Sequence, residues 1–229
     1  MKTVAESLLE VRARADAAAR KSGRDPSDVK LMAVTKGFPR ELVVETLAAG
    51  VSLFGENRVQ EAEAKFADLA DRCEIHLIGH LQTNKARAAA GLFSCVQSID
   101  SPHTAEALHA RCEERDRSMD VLLELNTSGE ESKSGFHGRD GLLSCLDAMK
   151  SLPRLRPRGL MTVGPLTDDP GRIRASFSAL RRLFEEVRGF SASFDMISMG
   201  MSADFELAIE EGSTLVRVGT ALFGPRKQA

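Results

Sequence analysis

LMAVTKGFPRELVVETLAAGVSLFGEN, residues 31–57, holds two short apolar runs separated by one amphipathic stretch. The first run is apolar on successive residues and stops at Lys36, before a Gly-Phe-Pro turn. Continuous apolar runs of this length are expected of strands buried on both faces. The stretch RELVVETLAAG carries apolar residues at helical spacing and opens beside Pro39. A proline there does little harm, because the first N–H groups of a helix have no partner within it. Strand, helix, strand in this order predicts two parallel strands joined by a crossover helix.

Outward from this segment the same unit recurs. EIHLIG starts at Glu74, CVQSID at Cys95, MDVLLELNT at Met119, LRPRGLMTV at Leu155, FDMISMG at Phe194 and LVRVG at Leu215. With LMAVTK from Leu31 and SLFGEN from Ser52 there are eight runs, whose starts lie 21, 22, 21, 24, 36, 39 and 21 residues apart. Between them stand helical patterns such as VQEAEAKFADLADR, TAEALHARCEERDR and RIRASFSALRRLFEEV, with Pro102 and Pro170 near helix starts. Eight such units predict a closed (β/α)8 barrel of the TIM type, a single domain over residues 1–229. An open doubly wound sheet is the alternative. Val4, Leu8, Val11 and Ala15 predict an amphipathic helix over about residues 2–22, packed on the domain. About ten residues follow the eighth run, from Thr220, so no second domain is expected.

Composition narrows the function classes. Among 229 residues, 31 Lys and Arg stand against 33 Asp and Glu, a formal net charge of −2. Such a balance lacks the basic footprint of a nucleic-acid or anionic-membrane binder. No uncharged run approaches the ~20 residues of a membrane span. Glu6, Glu10 and Asp16 interrupt the N-terminal stretch, which therefore reads as neither a secretory signal nor a transit peptide. Cys73, Cys95, Cys112 and Cys145 form no Cys-x-x-Cys pair and read as reduced thiols of a cytoplasmic protein. Asn126-Thr127-Ser128 matches a glycosylation pattern that has no meaning without secretion. The histidines are dispersed and predict no metal site, and no phosphate-binding or nucleophile-elbow motif is present.

In a parallel barrel, chemistry gathers at the C-terminal ends of the strands. Lys36 ends the first run, where its ammonium would lie near apolar walls. Desolvation and nearby cations lower a lysine pKa, and the free amine then condenses with aldehydes. An ordinary surface lysine is the competing reading. Lys30 precedes its strand, Lys85 and Lys133 sit in connections, and Lys2, Lys21, Lys65, Lys150 and Lys227 read as helix or terminal positions in solvent. The last two units, SMGMSAD and VRVGTALFG, place Gly200 and Gly219 beside the hydroxyls of Ser198, Ser202 and Thr220. Loops after the seventh and eighth strands of such barrels often bind phosphate. Taken one by one, the glycines also read as tight turns. A lysine amine and a phosphate cup together fit an aldehyde that carries a phosphate, either pyridoxal 5′-phosphate or the sugar phosphate of a lysine aldolase.

AVTK, FGENRVQE, HLIGHLQTNK, SIDS, NTSGEESKSGF, GLMTVGP and SMGMSADFELAIEEGSTLVRVGTALFG extend from about Leu31 to Gly224. Together they resemble the pyridoxal phosphate homeostasis protein family. The resemblance implies a barrel of the alanine racemase N-terminal type, fold type III among pyridoxal phosphate proteins, carrying one covalently held pyridoxal 5′-phosphate. Lys36 matches the family's Schiff-base lysine. Ser198, Gly219 and Thr220 match phosphate contacts. Arg217 matches an arginine near the cofactor, which in the related racemases faces the ring nitrogen, and Asn57 matches a position lining the same pocket. His80 departs from the family, where proline is common. The resemblance further implies a cytoplasmic monomer that holds, buffers or delivers the cofactor, with PLP-dependent apo-enzymes as possible recipients and no dedicated reaction.

The alternative is a weak PLP-dependent amino-acid racemase. Racemases of this type use a lysine and a tyrosine on opposite faces of the cofactor, and this sequence has no tyrosine. One lysine removes an α-proton but does not return it efficiently on the other face. An arginine at the ring nitrogen would also keep that nitrogen unprotonated and weaken the electron sink. An enzymatic role would require a Cys or His in place of the tyrosine.

Overall fold

The computed structural model describes residues 2–226. Eight parallel strands close into a barrel in sequence order: β1 (Lys30–Val34), β2 (Leu53–Glu56), β3 (Glu74–Leu77), β4 (Cys95–Ile99), β5 (Met119–Glu124), β6 (Leu155–Met161), β7 (Met196–Met201) and β8 (Leu215–Val218). β1 pairs with β8 in parallel, Met32 opposite Arg217, and this pairing closes the ring. The open doubly wound alternative is thereby excluded. Each apolar run read from the sequence overlaps one of these strands, with β1 starting one residue earlier and β7 ending one residue later than its run. Lys227 lies outside the described residues.

Around the barrel run α2 (Arg40–Ala48), α3 (Val59–Phe66), α4 (Ala86–Leu92), α5 (Pro102–Glu113), α6 (Arg139–Met149), α7 (Pro170–Val187) and α8 (Phe205–Glu210), each after its strand. Among the described residues only α9, the four residues Thr220–Phe223, follows β8. The missing cover comes from the other end of the chain. α1 (Val4–Lys21) packs against α8, α9 and α2 and turns Val4, Leu8, Val11, Ala15, Ala18 and Ala19 inward. Arg14 stacks on the ring of Phe205 and pairs with Glu206, while Lys21 pairs with Glu210. An N-terminal helix thus takes the place of an eighth crossover helix.

The main apolar core is the shell between strands and helices, with Phe54, Phe66, Phe93, Phe177 and Phe205 fully buried. Alternate strand residues point the other way, into the barrel. Some of these are apolar, with Met32, Val34 and Leu215 in one cluster and Cys95, Leu122 and Met161 in another. Toward the C-terminal end the inward residues become polar. The strand ring also depends on one glycine. A Cβ at Gly159, whose φ is +154°, would stand 1.7 Å from the carbonyl oxygen of Met196 on β7. Opposite it, the β5–β6 register slips between Val121 and Leu122, next to Pro157, which has no N–H to give the ladder.

Candidate functional site

Lys36 lies two residues beyond β1, in phase with the inward Val34, and is half-buried. Burial holds its amine below the usual lysine range, and Arg226 and Arg217 push it in the same direction, while Glu56 and Glu61 pull back. Lys36 lines a cavity of about 230 Å³ at the C-terminal mouth of the barrel. Val34, Phe38, Ile78 and Met201 give it apolar walls, and Arg217, Gly219, Thr220, Ser202, Ala203 and Arg226 complete the lining.

β8 and the turn into α9 supply most of the polar side. The N–H groups of Gly219 and Ala221 both donate to the hydroxyl oxygen of Ser202, at 3.1 and 3.2 Å. Two backbone donors converging on one oxygen form a small cup suited to an anion. A Cβ at Gly219 would press to 3.1 Å from the carbonyl oxygen of Val34, so the β1–β8 seam is tight here. Gly200 has another task than the one its sequence position predicts. Its φ is +93°, and a Cβ there would collide with Ala208 of α8 at 2.4 Å, so it lets β7 and α8 pack closely.

Arg217 enters the cavity from below as part of a buried polar chain. Its guanidinium donates to Ser198 Oγ at 2.7 Å and to the carbonyl of Thr162 at 2.7 Å. Ser198 Oγ donates to Gln97 Oε1 at 2.6 Å, and Gln97 Nε2 meets His76 Nδ1 at 2.8 Å. Strands β3, β4, β7 and β8 are thereby linked across the barrel interior. Ser198 is fully buried in this chain and does not line the cavity, and Asn57, half-buried just after β2, is not among the lining residues either. Lys36, Arg217, Gly219 and Thr220 do meet in one cavity.

Two features had weak sequence signals. Lys65, which reads as a solvent position on a helix, is buried and bonded to Glu56, Glu61 and the carbonyl of Thr35, so that expectation is corrected. Its visible signals were a carboxylate ending the apolar run at Glu56 and a Glu61–Lys65 pair at helical spacing. Arg226 had no signal, being brought to the cavity by the turn after α9, where its side chain lies over Gly37.

A larger open cleft of about 620 Å³ lies between residues 80–84 and 100–104. His80 Nδ1 there stands 3.1 Å from Asp100 Oδ2, and the lining holds no lysine or arginine. It offers neither an amine nor a cation to a phosphate-bearing aldehyde. Among the described residues no cluster of three or more His, Cys, Asp or Glu is arranged to hold a metal ion, and no helix is long and apolar enough to cross a membrane.

Comparisons with known proteins agree with this fold. The family model of the alanine racemase N-terminal domain matches residues 7–227. The chain is 44% identical over 227 residues to the pyridoxal phosphate homeostasis protein of Pseudomonas aeruginosa, covering 99% of this chain and 97% of that one. The structure of PipY from Synechococcus elongatus with PLP bound superposes with a TM-score of 0.84 at 36% identity, covering 97% of this chain and 100% of that one. Alanine racemase from Bacillus anthracis shares the fold, with a TM-score of 0.73 at 16% identity over 96% of this chain and 56% of the racemase.

Proposed function

The chain belongs to the alanine racemase N-terminal domain family and, within it, to the pyridoxal phosphate homeostasis proteins, and from that premise we propose that it binds pyridoxal 5′-phosphate at Lys36 and holds, buffers or delivers it. The observation that carries this reading is the meeting of Lys36, Arg217 and the Ser202–Gly219–Thr220 cup in one cavity. When bound, the cofactor supplies an aldehyde that condenses with a free amine. The residues present fit such a group. Burial and two arginines favour the free amine of Lys36. The N–H groups of Gly219 and Ala221, now shared by Ser202 Oγ, are donors for a phosphate, with Arg226 adding positive charge at the same mouth. Phe38, Ile78 and Met201 offer apolar surface to an aromatic ring. Arg217 is held by Ser198 and Thr162 with its guanidinium lining the cavity, placed to orient the ring. Ser198 acts in this scheme by positioning Arg217. We assign Asn57 to the rim of the same site.

Carrier rather than enzyme is the better reading. The lining residues of the cavity include no Cys, His, Asp or Glu, so Lys36 has no second base opposite it there. Burial raises the thiols elsewhere in the chain, Cys145 to about 12 and Cys73 to about 11, so they stay protonated and are poor bases. The cysteines are free, which accords with a cytoplasmic protein. Among the described residues the large exposed apolar side chains, Leu9, Val44, Leu166 and Met201, come from separate elements, which accords with a monomer.

The test is a visible absorption spectrum of the protein with pyridoxal 5′-phosphate, before and after borohydride, followed by peptide mapping. A cofactor band converted to a single stable label on the Lys36 peptide is the expected result. A full-stoichiometry label on another peptide would displace Lys36 from this role. A colourless, unlabelled protein would remove the cofactor reading altogether.

A further inference from the structure

Lys65 projects from α3 into the shell between that helix and the barrel, behind the segment that carries Lys36. Only 7% of it is exposed. Its ammonium donates to Glu56 Oε1 at 2.9 Å, Glu61 Oε1 at 2.6 Å and the carbonyl oxygen of Thr35 at 2.5 Å. The same two carboxylate oxygens hold the chain on either side of Lys36. Glu56 Oε1 accepts the Thr35 hydroxyl at 2.6 Å, and Glu61 Oε1 accepts the Gly37 N–H at 2.5 Å. All three ammonium bonds thus go to groups that bracket Lys36. Replacing all three charged side chains by apolar ones would tie α3 to the barrel as firmly, so packing alone does not call for the cluster.

The charges around Lys36 show what the cluster does. Arg217 from β8 and Arg226 after α9 face it with positive charge; Glu56 from β2 and Glu61 from α3 face it with negative charge. Left without Lys65, Glu61 would draw a proton onto the Lys36 amine and hold it as ammonium, whereas Glu56, whose carboxyl burial already raises, would take up a proton itself. Lys65 stands on both of them. One oxygen of Glu56, Oε2, is buried without any partner, so the cluster has unused capacity for a cation.

We infer that Lys65 is a positioning residue for Lys36: it fixes Thr35 and Gly37 and occupies Glu56 and Glu61, so that Glu61 does not capture the Lys36 ammonium and the amine stays free for an aldehyde. The inference rests on the reading of Lys36 as the cofactor's amine, but its measurement does not need the cofactor. Trace acetylation of the unloaded protein over a range of pH, quantified on the Lys36 peptide by mass, gives the midpoint at which that amine becomes reactive.

In Lys65→Met the midpoint rises by about one pH unit, so Lys36 becomes roughly tenfold less reactive below it. Adding Glu61→Gln to Lys65→Met brings the midpoint back toward the wild-type value. Glu61→Gln alone lowers it, the opposite sign. Circular dichroism checks that each variant is folded. A folded Lys65→Met with an unmoved or lowered midpoint would overturn the inference. If Lys65→Met does not fold, Glu61→Gln decides, because Glu61 is partly exposed and tolerates the change; an unmoved or raised midpoint there overturns it equally. Failure of the cofactor reading looks different, as a wild-type protein that takes no borohydride label at Lys36.

Discussion

Arg217 carries its charge where solvent cannot reach it. Burial lowers its pKa to about 10, with Glu124 and Asp204 pulling it back up. The guanidinium remains ionised at neutral pH and is held by Ser198 and the Thr162 carbonyl. Arg217→Gln is too short to satisfy both partners and removes the charge that faces Glu124 and Asp204. The expected cost is about 1–3 kcal/mol for each acceptor left without a donor. Urea unfolding reads that loss, and a visible titration with pyridoxal 5′-phosphate reads weaker retention or a shifted band. Unchanged affinity and spectrum would show that Arg217 does not touch the cofactor. The sequence placed Arg217 on a strand, and the family resemblance assigned it to the cofactor. That its anchor is Ser198, three strands' worth of chain away from the other end of the same polar chain at His76, was not legible, because it depends on which inward residues meet across the barrel.

Among the elements, α1 has the most unusual position. Its amphipathic spacing is plain in the sequence, but the spacing only says that one face is buried and not against what. The structure sets it between α8 and α2, over the β8–β1 seam that the four-residue α9 is too short to cover. Its start is a capping box: Thr3 Oγ1 accepts the Glu6 N–H at 3.2 Å, and Glu6 Oε2 accepts the Thr3 N–H at 2.8 Å. Thr3→Ala should cost about 1 kcal/mol, seen as a lower Tm. A Tm equal to wild type would mean that α1 is held by its packing on α8, α9 and α2 without help from the cap. α8 is itself stapled from the other side, where Arg174 of α7 reaches Glu210 and Glu211.

For the molecule as a whole, Glu124 at the end of β5 couples stability to pH. Burial, reinforced by Asp100, raises its carboxyl from the ordinary 4.5 to about 7, with Arg217 opposing. Between those values the folded protein keeps a proton that the unfolded chain releases. Stability therefore falls as pH rises through this window, by at most about 3 kcal/mol, and levels off above the folded pKa. Glu124→Gln should flatten this part of the profile, so that it gains on the wild type most at pH 8 and least at pH 4. Denaturant unfolding at several pH values is the check, and an unaltered slope would remove Glu124 from the account. Here too the sequence showed only a charged residue at the end of an apolar run; its burial belongs to the closed ring of strands.

What the sequence determined by itself is what depends on local order. Eight apolar runs at regular intervals separated by helical patterns dictate strand and helix, and a helix long enough to cross back between each pair of runs dictates parallel strands. The lysine at the end of the first run and the glycine- and hydroxyl-rich turns after the last two are properties of strand ends, so they were readable too. Tertiary structure decided which residues on different strands meet. It turned Lys65 inward onto Glu56 and Glu61, set Ser198 below the cavity rather than in it, and brought Arg226 over Gly37. Those placements follow from barrel closure and side-chain direction, which bring together groups as far apart in the chain as Lys36 and Arg217. No periodicity or spacing along the chain encodes a distance across the ring.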